Sequence, residues 1–329
     1  MKTINVITVT PLSEDVRRAM QAVSPAVKVQ DITDLTRREY KGDEQAKKEV
    51  DAVLAEAEVL YGGRFPVNLL ARAPSLKWIQ IPFAGVDRFL TDEFKRSGVT
   101  LTNASGIHAT PISEFVLEMM LMFAKQAPLL FEAKQRKEWR RVQLAVLRDK
   151  TAGVIGLGSI GQEVARLCKA FRMRVIATRR SPRSRKARNV DVLLPPSGLP
   201  RLLEESDYVA ICLPLTPETR KLIGERELKM MKPTAYILNI GRGEIIDEAA
   251  LVQALEEKWI AGAGLDVFAT EPLPKESKLW ELNNVIISPH VSGGMEDYEQ
   301  HATEVFIRNL NRYVEGKKLV NVISKEKGY

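Results

Sequence analysis

Glycine recurs at the first, third and sixth positions of "GLGSIG", which comprises Gly156, Leu157, Gly158, Ser159, Ile160 and Gly161. The stretch follows the apolar run "TAGVI" directly and precedes the helix-like "QEVARLCKAF". In a strand, turn and helix context the first glycine permits the tight turn, the second lets backbone approach a ligand, and the third lets helix and strand pack closely. The free amides and dipole of the helix start favour an anion, so the pattern predicts a pyrophosphate site for a dinucleotide. A structural glycine turn is the competing reading. The next apolar run, "RVIAT", ends about 20 residues after the glycines, where a site for NAD would present Asp or Glu to the ribose 2'-hydroxyl. This chain instead reads Thr178, Arg179, Arg180 and Ser181, followed by Arg183, Arg185, Lys186 and Arg188. Guanidinium groups hold a 2'-phosphate through charge-assisted hydrogen bonds, and a carboxylate would repel it. The first four residues are therefore expected to bind the 2'-phosphate of NADP, with NAD disfavoured but admissible. The alternative is a solvated basic turn.

Four more polar groups stand at or just past apolar strands: Arg242 in "LNIGRGEIID", Asp266 and Glu271 in "GAGLDVFATEPLP", and His290 in "VIISPHVSGG". In doubly wound sheets ligands bind at that carboxyl edge. Singly, each has a plain alternative as a surface arginine, a turn or a loop histidine. Together with the glycine turn they make one apparatus.

The elements that position these groups are legible in the apolar pattern. Short runs ("VLYG", "WIQI", "TAGVIGLG", "RVIAT", "YVAICLP", "AYILNIG", "VIISPH") alternate with polar segments of helix length, which predicts an α/β fold with parallel sheets. With 329 residues, 45% of them hydrophobic and 28% charged, the chain is long enough for two domains. Thr110 is expected to cap a long helix with Pro111 in its first turn. Residues 128–148, with Trp139, read as an exposed arm suited to dimer contacts, or as a solvated helix. The final helix, "EQHATEVFIRNLNRYVEG", has apolar residues at three-to-four spacing and is expected to pack back onto one domain.

Composition narrows the function classes. The N-terminal "MKTINVITVTP" lacks the apolar core of a signal peptide, and no run reaches the length of a membrane helix, so a cytoplasmic protein without membrane association is expected. Only Cys168 and Cys212 are present, far apart in sequence, and only three histidines, which argues against a disulfide framework and against a metal site. The net charge of +7 is spread along the chain apart from the basic turn, so nucleic acid is not the expected partner.

The series "GVIGLGSIGQEVA", "CLPLTPETRKLIG", "LNIGRGEIIDEAALVQAL", "GLDVFATEPLP" and "SPHVSGG" closely resembles the D-isomer-specific 2-hydroxyacid dehydrogenases, over nearly the whole chain and most densely from Gly153 to Gly294. The resemblance implies two Rossmann-like or flavodoxin-like domains with an active site in the cleft between them. It divides the chain into a discontinuous substrate domain, residues 1–103 plus 295–329, and a dinucleotide-binding domain, residues 104–294. It also implies a homodimer with contacts near 128–148. The catalytic set carried over is Arg242, Glu271 and His290. His290 would exchange a proton with the substrate oxygen, Glu271 would hold the ring, and Arg242 would bind the substrate carboxylate. Asp266 would contact the nicotinamide carboxamide, and Leu213, Pro214, Thr219, Ile240 and Gly241 would line the cofactor cleft. On the substrate side, "IQIPFAGVDRF" places backbone amides around Ala84 and Gly85 at the carboxylate, with Asp87 fixing the loop. "YGGRFP" puts Gly63 and Arg64 nearby.

The expected activity is NADPH-preferring reduction of small 2-oxo acids such as glyoxylate, hydroxypyruvate or pyruvate to D-2-hydroxy acids. The family's formate dehydrogenases carry Gln where Glu271 stands, which argues against that chemistry, and "NASGIHATPISEF" resembles members acting on glyoxylate, hydroxypyruvate or general 2-oxo acids. Two rivals stay open: a dinucleotide-sensing protein of the corepressor type, and another redox reaction on the same scaffold such as phosphite oxidation.

Overall fold

The computed structural model of the chain describes residues 3–86, 88–180 and 187–326. The chain divides into two compact units, Met1–Ile107 with Glu296–Tyr329, and His108–Met295.

The first unit contains β1 (Ile4–Thr8), β2 (Val27–Asp31), β3 (Val59–Tyr61), β4 (Trp78–Gln80) and β5 (Thr100–Thr102), in the order β2-β1-β3-β4-β5. All pairings are parallel, and the order is the flavodoxin-like one with its switch point between β1 and β3. Strands covered on both faces need side chains that tolerate burial throughout, and every residue of "VLY" and "WIQ" is buried. The C-terminal helix Tyr298–Val314 joins this unit through its apolar stripe. Phe306 and Leu310 are fully buried, and the Phe306 ring stacks on Tyr61 at 4.5 Å and on Trp78 at 5.2 Å. Asn309 adds a polar lock, donating to Gln80 Oε1 at 3.0 Å and accepting from the Val320 amide at 2.8 Å.

The second unit is a seven-stranded parallel sheet: β6 (Thr151–Ile155), β7 (Arg174–Thr178), β8 (Val192–Leu194), β9 (Tyr208–Ile211), β10 (Tyr236–Asn239), β11 (Gly262–Leu265) and β12 (Val285–Ile287), ordered β12-β11-β10-β9-β6-β7-β8. This is the dinucleotide-fold order with an extra edge strand, and its switch point lies between β6 and β9. The pleat feeds two apolar clusters: in β9, Val209 and Ile211 enter one, and Tyr208 and Ala210 the other. β11 was expected only as the strand before Asp266 and was absent from the apolar runs, because its sequence is "GAGL". Its glycines are required by space: a Cβ at Gly262 would lie 2.4 Å from the Asn284 carbonyl oxygen, and one at Gly264 would lie 2.6 Å from Met119 Sδ.

The helix expected to be capped by Thr110 starts earlier. It spans Ala109–Ala124, with His108 at the N-cap and Thr110 inside the first turn, where its carbonyl accepts from the Ser113 hydroxyl. The first turn has amides without helical acceptors, so Pro111 fits there without occupying its opening position. After the helix Ala127–Gln135 the chain runs without regular structure toward β6. Leu130 and Phe131 of this helix and Trp139, Leu144 and Val146 after it are exposed, Trp139 almost completely. Among the described residues no helix is long and apolar enough to cross a membrane.

Candidate functional site

The sheet order of the second unit gathers the polar groups singled out by the sequence. Arg242 follows β10, Asp266 and Glu271 follow β11, and His290 follows β12, three adjacent strands. The glycine turn follows β6, Leu213 follows β9 and Arg179 follows β7, at the same carboxyl edge.

At the glycine turn, Gly156 has φ +100° and a Cβ there would lie 2.6 Å from Leu213 Cδ2; at Gly161 it would lie 2.1 Å from the Gly156 carbonyl oxygen. At Gly158, by contrast, a Cβ would meet nothing within 4 Å. Gly158 caps the helix Ser159–Ala170, so exposed backbone stands at the start of a twelve-residue helix. Leu157 is buried, Ser159 exposed and Ile160 intermediate. Thr178 is only 5% exposed; its hydroxyl accepts from the Gly156 amide at 3.2 Å and its carbonyl from the Leu157 amide at 3.0 Å. It thus supports the glycine turn from below. Arg179 is half-buried, with its amide bonded to Leu194 O at 3.0 Å. Arg180 is exposed, and its charge reaches Glu218. That carboxyl is held below its ordinary range by the Thr216 hydroxyl first, then by its own amide, with Arg180 adding to them against burial. Ser181, read as a phosphate contact, and Arg183, Arg185 and Lys186 of the surrounding basic turn lie outside the described residues.

Leu213 is wedged between two strand ends, because Gly241 also lacks a Cβ, which would lie 2.7 Å from Leu213 O. Pro214 and Thr219 form one closed loop: the Thr219 hydroxyl donates to Pro214 O at 2.8 Å and accepts from the Thr216 amide at 2.7 Å. Ile240 and Gly241 are buried. The turn that presents Arg242 is held by Asn239, which sequence reasoning missed. Its Oδ1 accepts from the Gly241 amide at 3.1 Å, and its Nδ2 donates to the Arg242 carbonyl at 3.0 Å. The available signal was an amide side chain ending the buried run "YILN". Gly243 presses against the next strand's loop, since a Cβ there would lie 1.9 Å from the Phe268 carbonyl carbon.

Asp266 is fully buried. Its Oδ1 accepts from the Ser288 hydroxyl at 2.7 Å and from the Val291 amide at 2.8 Å, and its Oδ2 accepts from the Ser292 amide at 3.0 Å. The carboxylate expected at the nicotinamide carboxamide is therefore bonded to the loop that carries His290. Ser288 was not singled out in the sequence, and "SP" before a histidine gave little signal of a buried hydroxyl.

His290 Nδ1 lies 2.8 Å from Glu271 Oε2, while Glu271 Oε1 accepts from the Phe268 amide at 3.1 Å. A carboxylate only accepts, so Nδ1 carries the hydrogen and Nε2 is left for a substrate. Burial pushes the Glu271 carboxyl up, but hydrogen bonds from His290 and the Phe268 amide, with the charges of His290 and Arg242, bring it below its ordinary range. It is thus ionised at neutral pH. His290 has φ +56°, a conformation that aims its ring from a tight loop.

Gly63, Arg64, Ala84 and Gly85 belong to the first unit, after the adjacent strands β3 and β4. Gly63 leaves room for the Phe83 ring, and Asn103 Nδ2 holds the Ala84 carbonyl at 2.7 Å. The Arg64 guanidinium lies 4.2 Å over the Tyr40 ring. Asp87 lies outside the described residues.

The chain is similar to known proteins in both sequence and fold. Residues 117–292 match the model of a family described as "D-isomer specific 2-hydroxyacid dehydrogenase, NAD binding domain". A glyoxylate reductase of Thermococcus gammatolerans is 35% identical over 288 residues, covering 85% of this chain and 84% of that protein. The crystal structure of a D-isomer specific 2-hydroxyacid dehydrogenase from Xanthobacter autotrophicus in complex with NADPH and MES is similar at a TM-score of 0.83, with 28% identity and full coverage of both chains. An NADPH-dependent glyoxylate/hydroxypyruvate reductase from Sinorhizobium meliloti, in complex with NADP and sulfate, is similar at the same TM-score and identity, again over all of both chains.

Proposed function

Since the chain belongs to the D-isomer-specific 2-hydroxyacid dehydrogenase family, we propose that it reduces small 2-oxo acids to D-2-hydroxy acids, with NADPH as the preferred reductant. The observation that carries this reading is the Glu271–His290 pair, whose Nε2 is left for substrate at the strand edge that also bears Arg242.

The glycine turn fits a dinucleotide, because Gly158 leaves the helix start open while Gly156 and Gly161 bring the backbone together behind it. Gly156 to Gly161 would hold the pyrophosphate, Leu213, Pro214, Thr219, Ile240 and Gly241 would line its path, and Arg179 and Arg180 would meet the 2'-phosphate. When bound there, a reduced nicotinamide would supply the hydride that C2 of the acid takes up. Arg242 pairs with the substrate carboxylate and stabilises negative charge on the carbonyl oxygen. His290 passes a proton to that oxygen, and Glu271 keeps the ring oriented and favours its protonated form. Backbone amides near Ala84 and Gly85, with Gly63 and Arg64, are assigned to the substrate side.

The cofactor part of this reading is tested by initial rates with glyoxylate at matched NADPH and NADH. A charge-assisted hydrogen bond is worth about 1.5–3 kcal/mol, so Arg179→Asp is expected to raise the KM for NADPH about 10- to 100-fold. Equal rates with both cofactors, unchanged by the substitution, would leave the basic turn without a role in cofactor choice.

A second copy of the chain is assigned to the exposed apolar arm of Leu130, Phe131, Trp139, Leu144 and Val146, since such a patch on one segment marks an interaction surface. Sedimentation is expected to show a dimer that Trp139→Glu converts to monomer. A parent protein that sediments as a monomer would refute the assignment.

A further inference from the structure

His108, in "NASGIHATPISEF", has no part in the reaction described above. We propose that His108 is a positioning residue for the catalytic loop: its imidazole packs on Gly293 and so sets where the loop carrying His290 comes to rest. The proposal relies on the reading of His290 as the proton donor.

The loop from Ser288 to Gly294 has one support already described, the Asp266 carboxylate, which binds the Val291 and Ser292 amides and the Ser288 hydroxyl. The Gly294 amide closes the turn onto Val291 O at 2.8 Å. His108 is the second support. A Cβ at Gly293 would lie 2.9 Å from His108 Cδ2 and 3.6 Å from its Nε2, and every heavy atom it would meet most closely belongs to that imidazole. Gly293 is not among the positive-φ glycines, so the backbone does not require glycine there. The space taken by the imidazole does.

The base under His108 is rigid. It caps the helix Ala109–Ala124, which is buried through Val116, Met119 and Met120 and packs on the helix that follows the glycine turn. The imidazole is half-buried and its Nδ1 is shielded from solvent. An imidazole held on the core and pressed against a residue three positions beyond His290 limits the freedom of the loop, and misplacement of a proton donor by about 1 Å can cost 10²-fold in rate.

The test uses the whole chain and its small set of histidines, His108, His290 and His301. The imidazole Cε1–H resonances are assigned by His108→Ala, His290→Asn and His301→Gln. Rates with glyoxylate and NADPH are measured for the parent, His108→Ala, Gly293→Ala and the double variant. His108→Ala is expected to lower kcat about tenfold, to leave the KM for NADPH within about twofold, and to move the His290 resonance while that of His301 stays in place. Gly293→Ala moves the His108 and His290 resonances together. The double variant loses less than the product of the two single losses, because the contact that clashes has been removed. If His108→Ala fails to fold, Gly293→Ala and His108→Gln carry the same comparison.

Strictly additive losses, or an unmoved His290 resonance in folded His108→Ala, would overturn the proposal while His290→Asn still abolished turnover. Full turnover in His290→Asn would instead remove the reading on which the proposal rests, whatever the resonances show.

Discussion

Replacing His290 by asparagine is expected to lower kcat with glyoxylate about a thousandfold while the protein stays folded. A positioned general acid contributes about 10²–10⁴ to such a step, and His290 is the group whose Nε2 is left for substrate once Nδ1 is bonded to Glu271. Asparagine is the informative choice because His290 has φ +56°. That region is disfavoured by about 1–2 kcal/mol for most residues but is visited readily by asparagine. His290→Ala would mix lost chemistry with backbone strain, whereas His290→Asn removes the proton and keeps the loop. A thermal melt close to the parent's, with NADPH still bound, separates the two effects. Parent-like turnover in this variant would refute the assignment of the proton donor.

The second large effect is expected at Arg242. Arg242→Ala should lower kcat/KM for a 2-oxo acid about 10³-fold, combining the lost carboxylate contact with the lost stabilisation of the carbonyl oxygen. The Arg242 guanidinium donates to the Gly241 carbonyl at 2.7 Å, but the turn has other supports. Asn239 bonds the Gly241 amide and the Arg242 carbonyl, and Gly243 packs on the Phe268 backbone. NADPH affinity, read by fluorescence, is therefore expected to change by less than about twofold while the substrate KM rises. Arg242→Lys should recover only part of the loss, because an ammonium cannot reproduce the bidentate fork. A variant that loses cofactor and substrate binding together would place Arg242 in the cofactor site instead.

Much of this was readable in the sequence because it depends on local patterns. Strands β6, β7, β9, β10 and β12 of the second sheet announced themselves as apolar runs, whereas β8 did not, and the glycine spacing of Gly156, Gly158 and Gly161 reports a turn that only a particular backbone can make. β11 was implied only by the placing of Asp266 and not by an apolar run, for a physical reason: its glycines face Met119 and the Asn284 backbone, and close packing removed the side chains that would have marked a strand. Asn239, Ser288 and His108 were unassigned because their roles depend on neighbours distant in sequence. Asp266 shows the same limit from the other side. It was picked out correctly as a polar group past a strand, but its bonds to Ser288, Val291 and Ser292 come only from the pairing of β11 with β12. Thr178 was read as a phosphate contact and is found buried beneath the glycine turn, because the last residue of β7 pairs with the end of β6.

The central claim, reduction at C2 of a 2-oxo acid to the D-hydroxy product, is tested most directly by mixing the purified chain with hydroxypyruvate and NADPH deuterated at nicotinamide C4, then analysing the glycerate formed. The account predicts D-glycerate with deuterium on C2. No consumption of NADPH with hydroxypyruvate, glyoxylate or pyruvate, or a product of L configuration, would contradict it.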